Sequence, residues 1–112
     1  MMMKGIVIKG KQKGKELGFP TVNIELEDDL ASGVYGGKVN VDGRRYRAAI
    51  FCGTDRKILE AHILDFSGDL YGQEIEIEVG KKIREVMRFE NEEELKNQII
   101  KDIEQIKKDI SR

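Results

Sequence analysis

What this 112-residue chain lacks already narrows its chemistry. It has one cysteine, Cys52, so no disulfide can form within it, and that usage fits a reducing cytoplasm. Cys52 itself reads as a small buried hydrophobe on a strand. With a single histidine, His62, there is no His/Cys cluster to hold zinc and no Ser-His-Asp arrangement to argue. His62 reads as a hydrogen-bonded structural residue. Tryptophan is absent, and three tyrosines with four phenylalanines offer little platform for stacking bases. The net charge is −1 although 37% of the residues are charged, which removes the electrostatic footprint of a nucleic-acid binder. No apolar run approaches the ~18 residues of a membrane span, and the opening MMMKGIVIKG turns polar too soon for a signal peptide. The expectation is one domain over residues 1–112, a cytoplasmic monomer that engages neither nucleic acid nor membrane.

Proline is equally scarce, and its one occurrence is informative. Pro20 lies in KGKQKGKELGFPTVN, residues 9–23, together with Gly10, Gly14 and Gly18. Lys9, Lys11, Lys13 and Lys15 crowd around the first two glycines, and such a loop in a near-neutral protein suits a compact anion such as phosphate. It is not a P-loop. The spacing of Gly10, Gly14 and Lys15 is one residue short, Glu16 stands where Ser or Thr should be, and more strand rather than a helix is expected to follow. Gly18 permits an unusual turn, and Pro20 fixes φ and removes a donor. On a strand, Thr21 and Asn23 point to the same face, where a hydroxyl and an amide oxygen make hard ligands suited to Mg²⁺. Taken alone, the loop also reads as solvated lysines, and Thr21 and Asn23 as residues that satisfy a turn.

The rest of the chain reads as a strand meander. Residues 4–9, 21–26, 33–41, 44–52, 58–66 and 74–79 are strand candidates, with a further one through KKIREVM at 81–87. Asp42-Gly43 between the third and fourth is a type I′ hairpin signal. From Asn91 the period changes. Asn91 and Glu94 resemble a capping box, and Leu95, Ile99, Ile103, Ile106 and Ile110 recur at helical spacing. The pattern predicts an all-β fold: about six mainly antiparallel strands curled into a small closed barrel over residues 4–89, with one C-terminal helix over 91–111. In ILEAHILDF, Glu60 shares a strand face with Ile58, His62, Leu64 and Phe66. Apolar neighbours disfavour a charged carboxylate and make it a better proton acceptor. An anion cradle, a hard-metal pair and an isolated carboxylate together make the kit for phosphoryl transfer to a hydroxyl.

These residues also resemble a known family. LGFPTVN is similar to the GFPTAN signature of riboflavin kinases of the bacterial and eukaryotic type. The resemblance continues through Gly33-Val34-Tyr35-x-Gly37, Leu59-Glu60-Ala61-His62-Ile63-Leu64-Asp65-Phe66, Gly68-Asp69-Leu70-Tyr71-Gly72, Lys82-Ile83-Arg84-Glu85 to Phe89, and the closing helix. It implies a six-stranded barrel that transfers the γ-phosphate of ATP to the 5′-hydroxyl of riboflavin, giving FMN and ADP, with Mg²⁺. It further implies Glu60 as catalytic base and Thr21 and Asn23 as metal and phosphate ligands. Gly10, Lys15, Gly18 and Pro20 would form the nucleotide loop, and Asp65 and Tyr71 would flank the nucleotide. Arg84, Val86 and Phe89 would meet the flavin, for which an aromatic ring and an arginine stem are fitting neighbours. Two departures stand out. The adenylyltransferase domain that precedes many family members is missing, so FMN synthesis alone is implied. The segment from Gly53 to Glu60 is also short and lacks the family's proline, which admits a catalytically inactive flavin-binding module as the alternative.

Overall fold

The computed structural model describes residues 1–10 and 13–109; Lys11 and Ile110, both singled out above, lie outside them. Six strands form one sheet: β1 (Met2–Ile6), β2 (Val22–Glu25), β3 (Gly33–Val41), β4 (Arg44–Cys52), β5 (Ile58–Ile63) and β6 (Glu74–Arg84). Their order across the sheet is β1-β6-β3-β4-β5-β2, and every pairing is antiparallel. The two edges nearly meet. A single bridge from Ile8 to Asn23, with Ile8 N–H donating to the Asn23 carbonyl at 2.8 Å, turns the sheet into a nearly closed barrel. Closure of this kind removes the exposed edges that an open sheet must protect.

Alternation decides what lies inside. Val39, Ile50, Leu59, Ala61, Ile75 and Ile77 are almost fully buried and fill the barrel. Every second residue of β6 before them, Glu74, Glu76 and Glu78, faces outward, and Glu78 pairs with Arg45 at 2.6 Å. The β3–β4 hairpin turns at Asp42 and Gly43, whose φ values of 50° and 83° are those of a type I′ turn. Cys52 is fully buried as expected, and that burial pushes its thiol pKa up despite nearby Arg56.

Three details differ from the sequence reading. The loop after β1 contains one helical turn, α1 (Lys13–Glu16), where no helix was expected; the strand expected after the loop is β2. A helix advances only about 1.5 Å per residue against about 3.3 Å for a strand, so the turn takes up chain between two nearly touching strands. The strands expected at 74–79 and 81–87 are one strand, β6, which bends at register shifts opposite Val34, Tyr35 and Gly37 and ends at Arg84. Finally, β5 stops at Ile63 rather than Phe66. Alternation already fails at Leu64, which is buried next to Ile63 rather than standing on the Glu60 face, and past Asp65, with its φ of 57°, Phe66 packs edge-on against Tyr46.

The closing helix, α2 (Glu92–Asp109), starts where the cap residue predicts. The Asn91 side-chain oxygen accepts from the Glu94 N–H at 2.9 Å, and the Glu94 carboxylate accepts from the Glu90 N–H at 3.1 Å. Its apolar stripe meets the barrel: Ile106 is buried over Gly36, while Leu95, Ile99 and Ile103 are half-buried.

Candidate active site

One row of cross-strand partners runs around the barrel and carries most of the polar chemistry. Arg84 on β6 faces Val34 on β3, Val34 faces Phe51 on β4, Phe51 faces Glu60 on β5, and Glu60 faces Asn23 on β2. Directly opposed residues share a face of the sheet, here the outer one, since their neighbours Leu59, Ile24 and Cys52 point into the core. Glu60 and Asn23 are therefore side by side. Thr21, just before β2, donates its hydroxyl to Glu60 Oε1 at 3.3 Å. Asn23 is 6% exposed, and Gly10 lies so close that a Cβ there would collide with the Asn23 amide.

Two cavities flank this row. The larger, about 670 Å³, has Lys9, Gly10, Lys15, Asn23, Asp69 and Tyr71 in its lining. Lys9 lies 5.2 Å from the centre of the exposed Tyr71 ring, and Asp69 Oδ1 accepts from the Tyr71 N–H at 2.9 Å, which fixes the turn that carries the ring. Cationic side chains, a backbone approach at Gly10 and an exposed ring suit a polyanion with a flat head. The smaller cavity, about 340 Å³, is mainly apolar, with Phe19, Phe51, Phe89, Leu95 and Ile99 in its walls and Glu60 at one side. It fits a flat, hydrophobic ring system. Thr21 lines both cavities.

The residues singled out from sequence are distributed unevenly over this geometry. Gly10, Lys15, Pro20, Thr21, Asn23 and Tyr71 line the larger cavity, and Glu60, Arg84 and Phe89 the smaller. Gly18 lines neither; its φ of 91° makes the turn. Asp65 is also outside, its side chain 76% exposed and 3.8 Å from Arg47. Val86 is half-buried beyond the end of β6 and lines neither cavity. Arg84 is largely engaged already. Its Nε and Nη2 donate to Asp102 at 2.8–3.1 Å, its Nη1 donates to the Glu85 carbonyl at 3.0 Å, and it packs 6.0 Å from the Phe89 ring. It is a strut between β6 and α2 more than a free donor. His62 keeps its structural reading, with Nδ1 2.8 Å from the Pro20 carbonyl.

Sequence reasoning gave no site role to Phe51, Asp69, Phe19 or Asp102. Phe51 alternates outward one residue before the end of β4, and its pairing with Glu60 depends on the β4–β5 register. Asp102 is a buried carboxylate on the face of α2 that meets the barrel, a signal that was available in the helical period. The connection between β4 and β5 is a compact turn, held by the Arg56 N–H to the Gly53 carbonyl at 3.0 Å and the Lys57 N–H to Asp55 at 3.1 Å. Among the described residues no group of three or more His, Cys, Asp or Glu side chains could hold a metal by itself. Among the described residues no helix is long and apolar enough to cross a membrane.

The family model described as Flavokinase: Riboflavin kinase matches residues 1–110. The RNA-binding riboflavin kinase RibR of Bacillus subtilis (strain 168) is 39% identical over 110 residues, covering 91% of this chain and 48% of that protein. Among solved structures, the riboflavin kinase of Trypanosoma brucei superposes with a TM-score of 0.74 at 25% identity, covering 99% of this chain and 80% of that one. A protein named as a macrolide-efflux protein from Streptococcus pneumoniae superposes with a TM-score of 0.86 at 30% identity, covering 95% of this chain and 38% of that one. The chain spans less than half the length of the curated relatives it matches.

Proposed function

The chain belongs to the riboflavin kinase family, and on that premise we propose that it transfers the γ-phosphate of ATP to the 5′-hydroxyl of riboflavin, giving FMN and ADP. The observation that carries this reading is Thr21, which lines both cavities and bonds to Glu60 where they adjoin. ATP occupies the larger cavity, with Lys9 and Lys15 opposing phosphate charge and Tyr71 facing the base. Riboflavin places its ring among Phe19, Phe51, Phe89 and the wall of α2, which brings its ribityl chain toward Glu60.

Glu60 accepts the proton of the attacking hydroxyl. The proton moves to a Glu60 carboxylate oxygen as the hydroxyl oxygen bonds to the γ-phosphorus, and the bond to the β-phosphate oxygen breaks. Thr21 and Asn23 would hold a divalent cation, in our proposal Mg²⁺, against the phosphates. Two neutral oxygen donors with no cluster of carboxylates fit an ion that completes its shell with phosphate and water. When bound, that ion neutralises charge that develops on the phosphoryl oxygens. The Gly10 backbone packed against the Asn23 amide keeps the second donor from turning away.

The name of one relative includes RNA binding, which is not part of this proposal. Several basic side chains here are already paired: Arg45 with Glu78, Arg56 with Asp29, Lys82 with Glu85 and Arg84 with Asp102. Glu60→Gln tests the proposal, because it keeps the size and the acceptor for Thr21 but cannot take a proton. We expect kcat to fall about 10²–10⁴-fold. A loss under about tenfold would remove the general-base assignment.

A further inference from the structure

The two cavities are separated by one short stretch of chain between α1 and β2. Leu17 and Phe19 face the smaller cavity, Lys15 and Pro20 face the larger, and Thr21 lines both. This partition precedes β2, which begins at Val22, so the sheet ladder does not fix it directly. At its start the Gly18 N–H donates to the Lys15 carbonyl at 3.1 Å. Its middle is held from β5. His62 Nδ1 lies 2.8 Å from the Pro20 carbonyl oxygen, across 42 positions of sequence. A carbonyl can only accept, so the ring hydrogen sits on Nδ1. The same ring stands edge-on to Phe19, with centroids 5.6 Å apart and planes at 90°. Two residues earlier on the same strand face, Glu60 accepts from Thr21. Strand β5 thus grips the partition twice, at Thr21 through Glu60 and at Phe19-Pro20 through His62.

We infer that His62 is a positioning residue for phosphotransfer: through the Pro20 carbonyl and the Phe19 ring, it sets where the partition stands and so how the two cavities face each other at Thr21. The inference rests on the phosphotransfer reading above and adds a residue to it. His62 does not take the substrate proton. The grip on Pro20 needs only the hydrogen on Nδ1.

Four variants of the full chain separate the possibilities. Asparagine places its amide nitrogen where Nδ1 stands, whereas glutamine places it nearer Nε2. Phenylalanine keeps the ring edge toward Phe19 but has no donor, and alanine removes both. His62→Ala should lower kcat/KM about tenfold for riboflavin and for ATP alike, the scale of one lost hydrogen bond. His62→Asn should recover to within about threefold of the parent, with His62→Gln and His62→Phe falling between Asn and Ala. The pH–rate profile of His62→Ala should keep both limbs of the parent's. Recovery by Gln rather than Asn, or loss of a limb, would mean that His62 acts on the substrate itself and would overturn the inference.

Amide hydrogen exchange over residues 15–23, measured without substrates, gives a readout independent of turnover. Exchange at Gly18, whose N–H is bonded to the Lys15 carbonyl at the start of the partition, should be slow in the parent and His62→Asn and faster in His62→Gln and His62→Ala. Equal exchange in the parent and in His62→Gln would also overturn the inference, and that comparison stands if the alanine variant does not fold. A parent that makes no FMN with any triphosphate would instead sink the phosphotransfer reading, and exchange alone would then decide whether His62 pins the partition.

Discussion

Asp102→Ala should be the most damaging single substitution on helix α2. Asp102 is 5% exposed, and its two oxygens accept from Arg84 Nε at 2.9 and 3.1 Å, from Arg84 Nη2 at 2.8 Å and from Gln98 at 3.0 Å. Alanine would strand a guanidinium whose side chain is only 16% exposed. Breaking such a pair from one side costs about 3–5 kcal/mol. Arg84 retains the Glu85 carbonyl and borders a cavity that water can enter, so we place the cost near the lower end, about 3 kcal/mol. Asp102→Asn keeps one acceptor oxygen but loses the charge, which should halve the effect to about 1.5 kcal/mol. Replacing the pair by Arg84→Met with Asp102→Leu should recover most of the loss, since apolar isosteres of a buried pair are often neutral.

Urea unfolding followed by circular dichroism measures all four proteins. With a slope of about 1–3 kcal/mol per molar, a 3 kcal/mol loss moves the midpoint down by about 1–3 M. Helix α2 also supplies Leu95 and Ile99 to the smaller cavity, so folded Asp102→Asn should raise the KM for riboflavin more than that for ATP. A midpoint for Asp102→Ala within about 0.3 M of the parent would refute the reasoning, because it would mean that Arg84 does not depend on Asp102. So would a double variant as unstable as the alanine single.

Other substitutions probe other parts of the site. Gly10→Ala drives a methyl into the Asn23 amide and should raise the KM for ATP at least tenfold with little change in riboflavin affinity; equal affinities for ATP would show that the loop yields freely. Thr21→Ala and Asn23→Ala should shift the Mg²⁺ titration of activity to higher concentration, and a titration that overlays the parent's would remove them as metal ligands. The Cys52 thiol, buried and with its pKa raised above the ordinary thiol range by that burial, should resist iodoacetamide until the chain unfolds. Its raised folded-state pKa also stabilises the fold below the unfolded thiol's pKa, and that contribution is lost as pH rises through the folded value. Cys52→Ala should therefore lose less stability than the parent as pH rises above about 8.5; parallel losses would mean that burial does not hold the thiol pKa up.

Much of the architecture was legible because it depends on local pattern. Alternation in 74–79 marks an outward row of glutamates, Asp42-Gly43 marks a positive-φ hairpin, and Asn91 with Glu94 marks the helix start. What escaped depends on geometry that no local window contains. The β5 alternation seemed to run on to Phe66, but Leu64 turns inward beside Ile63 and, past the left-handed Asp65, the ring meets Tyr46. The single helical turn of α1 answers to the small gap between β1 and β2, a distance set only when the barrel closes at Ile8 and Asn23. Of the site, Thr21, Asn23 and Glu60 stood out by residue type, because hard oxygens and an isolated carboxylate are unusual on strand faces. That Thr21 and Glu60 touch, and that Phe51 stands next to Glu60, follows from cross-strand register. Arg84 was legible as a residue but its ion pair was not, since its partner Asp102 lies 18 positions away on another element.

The central claim is that two substrates meet at Thr21 and Glu60 for direct phosphoryl transfer. The measurement that tests it most directly incubates the protein with riboflavin, Mg²⁺ and ATP whose γ-phosphate oxygens are all ¹⁸O, and reads the flavin product by mass spectrometry. Our account predicts FMN that carries the three labelled non-bridging oxygens, with the ester oxygen unlabelled because it comes from riboflavin, and no such product with Glu60→Ala. Unlabelled flavin at every ATP concentration, or labelled FMN formed equally well by Glu60→Ala, would contradict it.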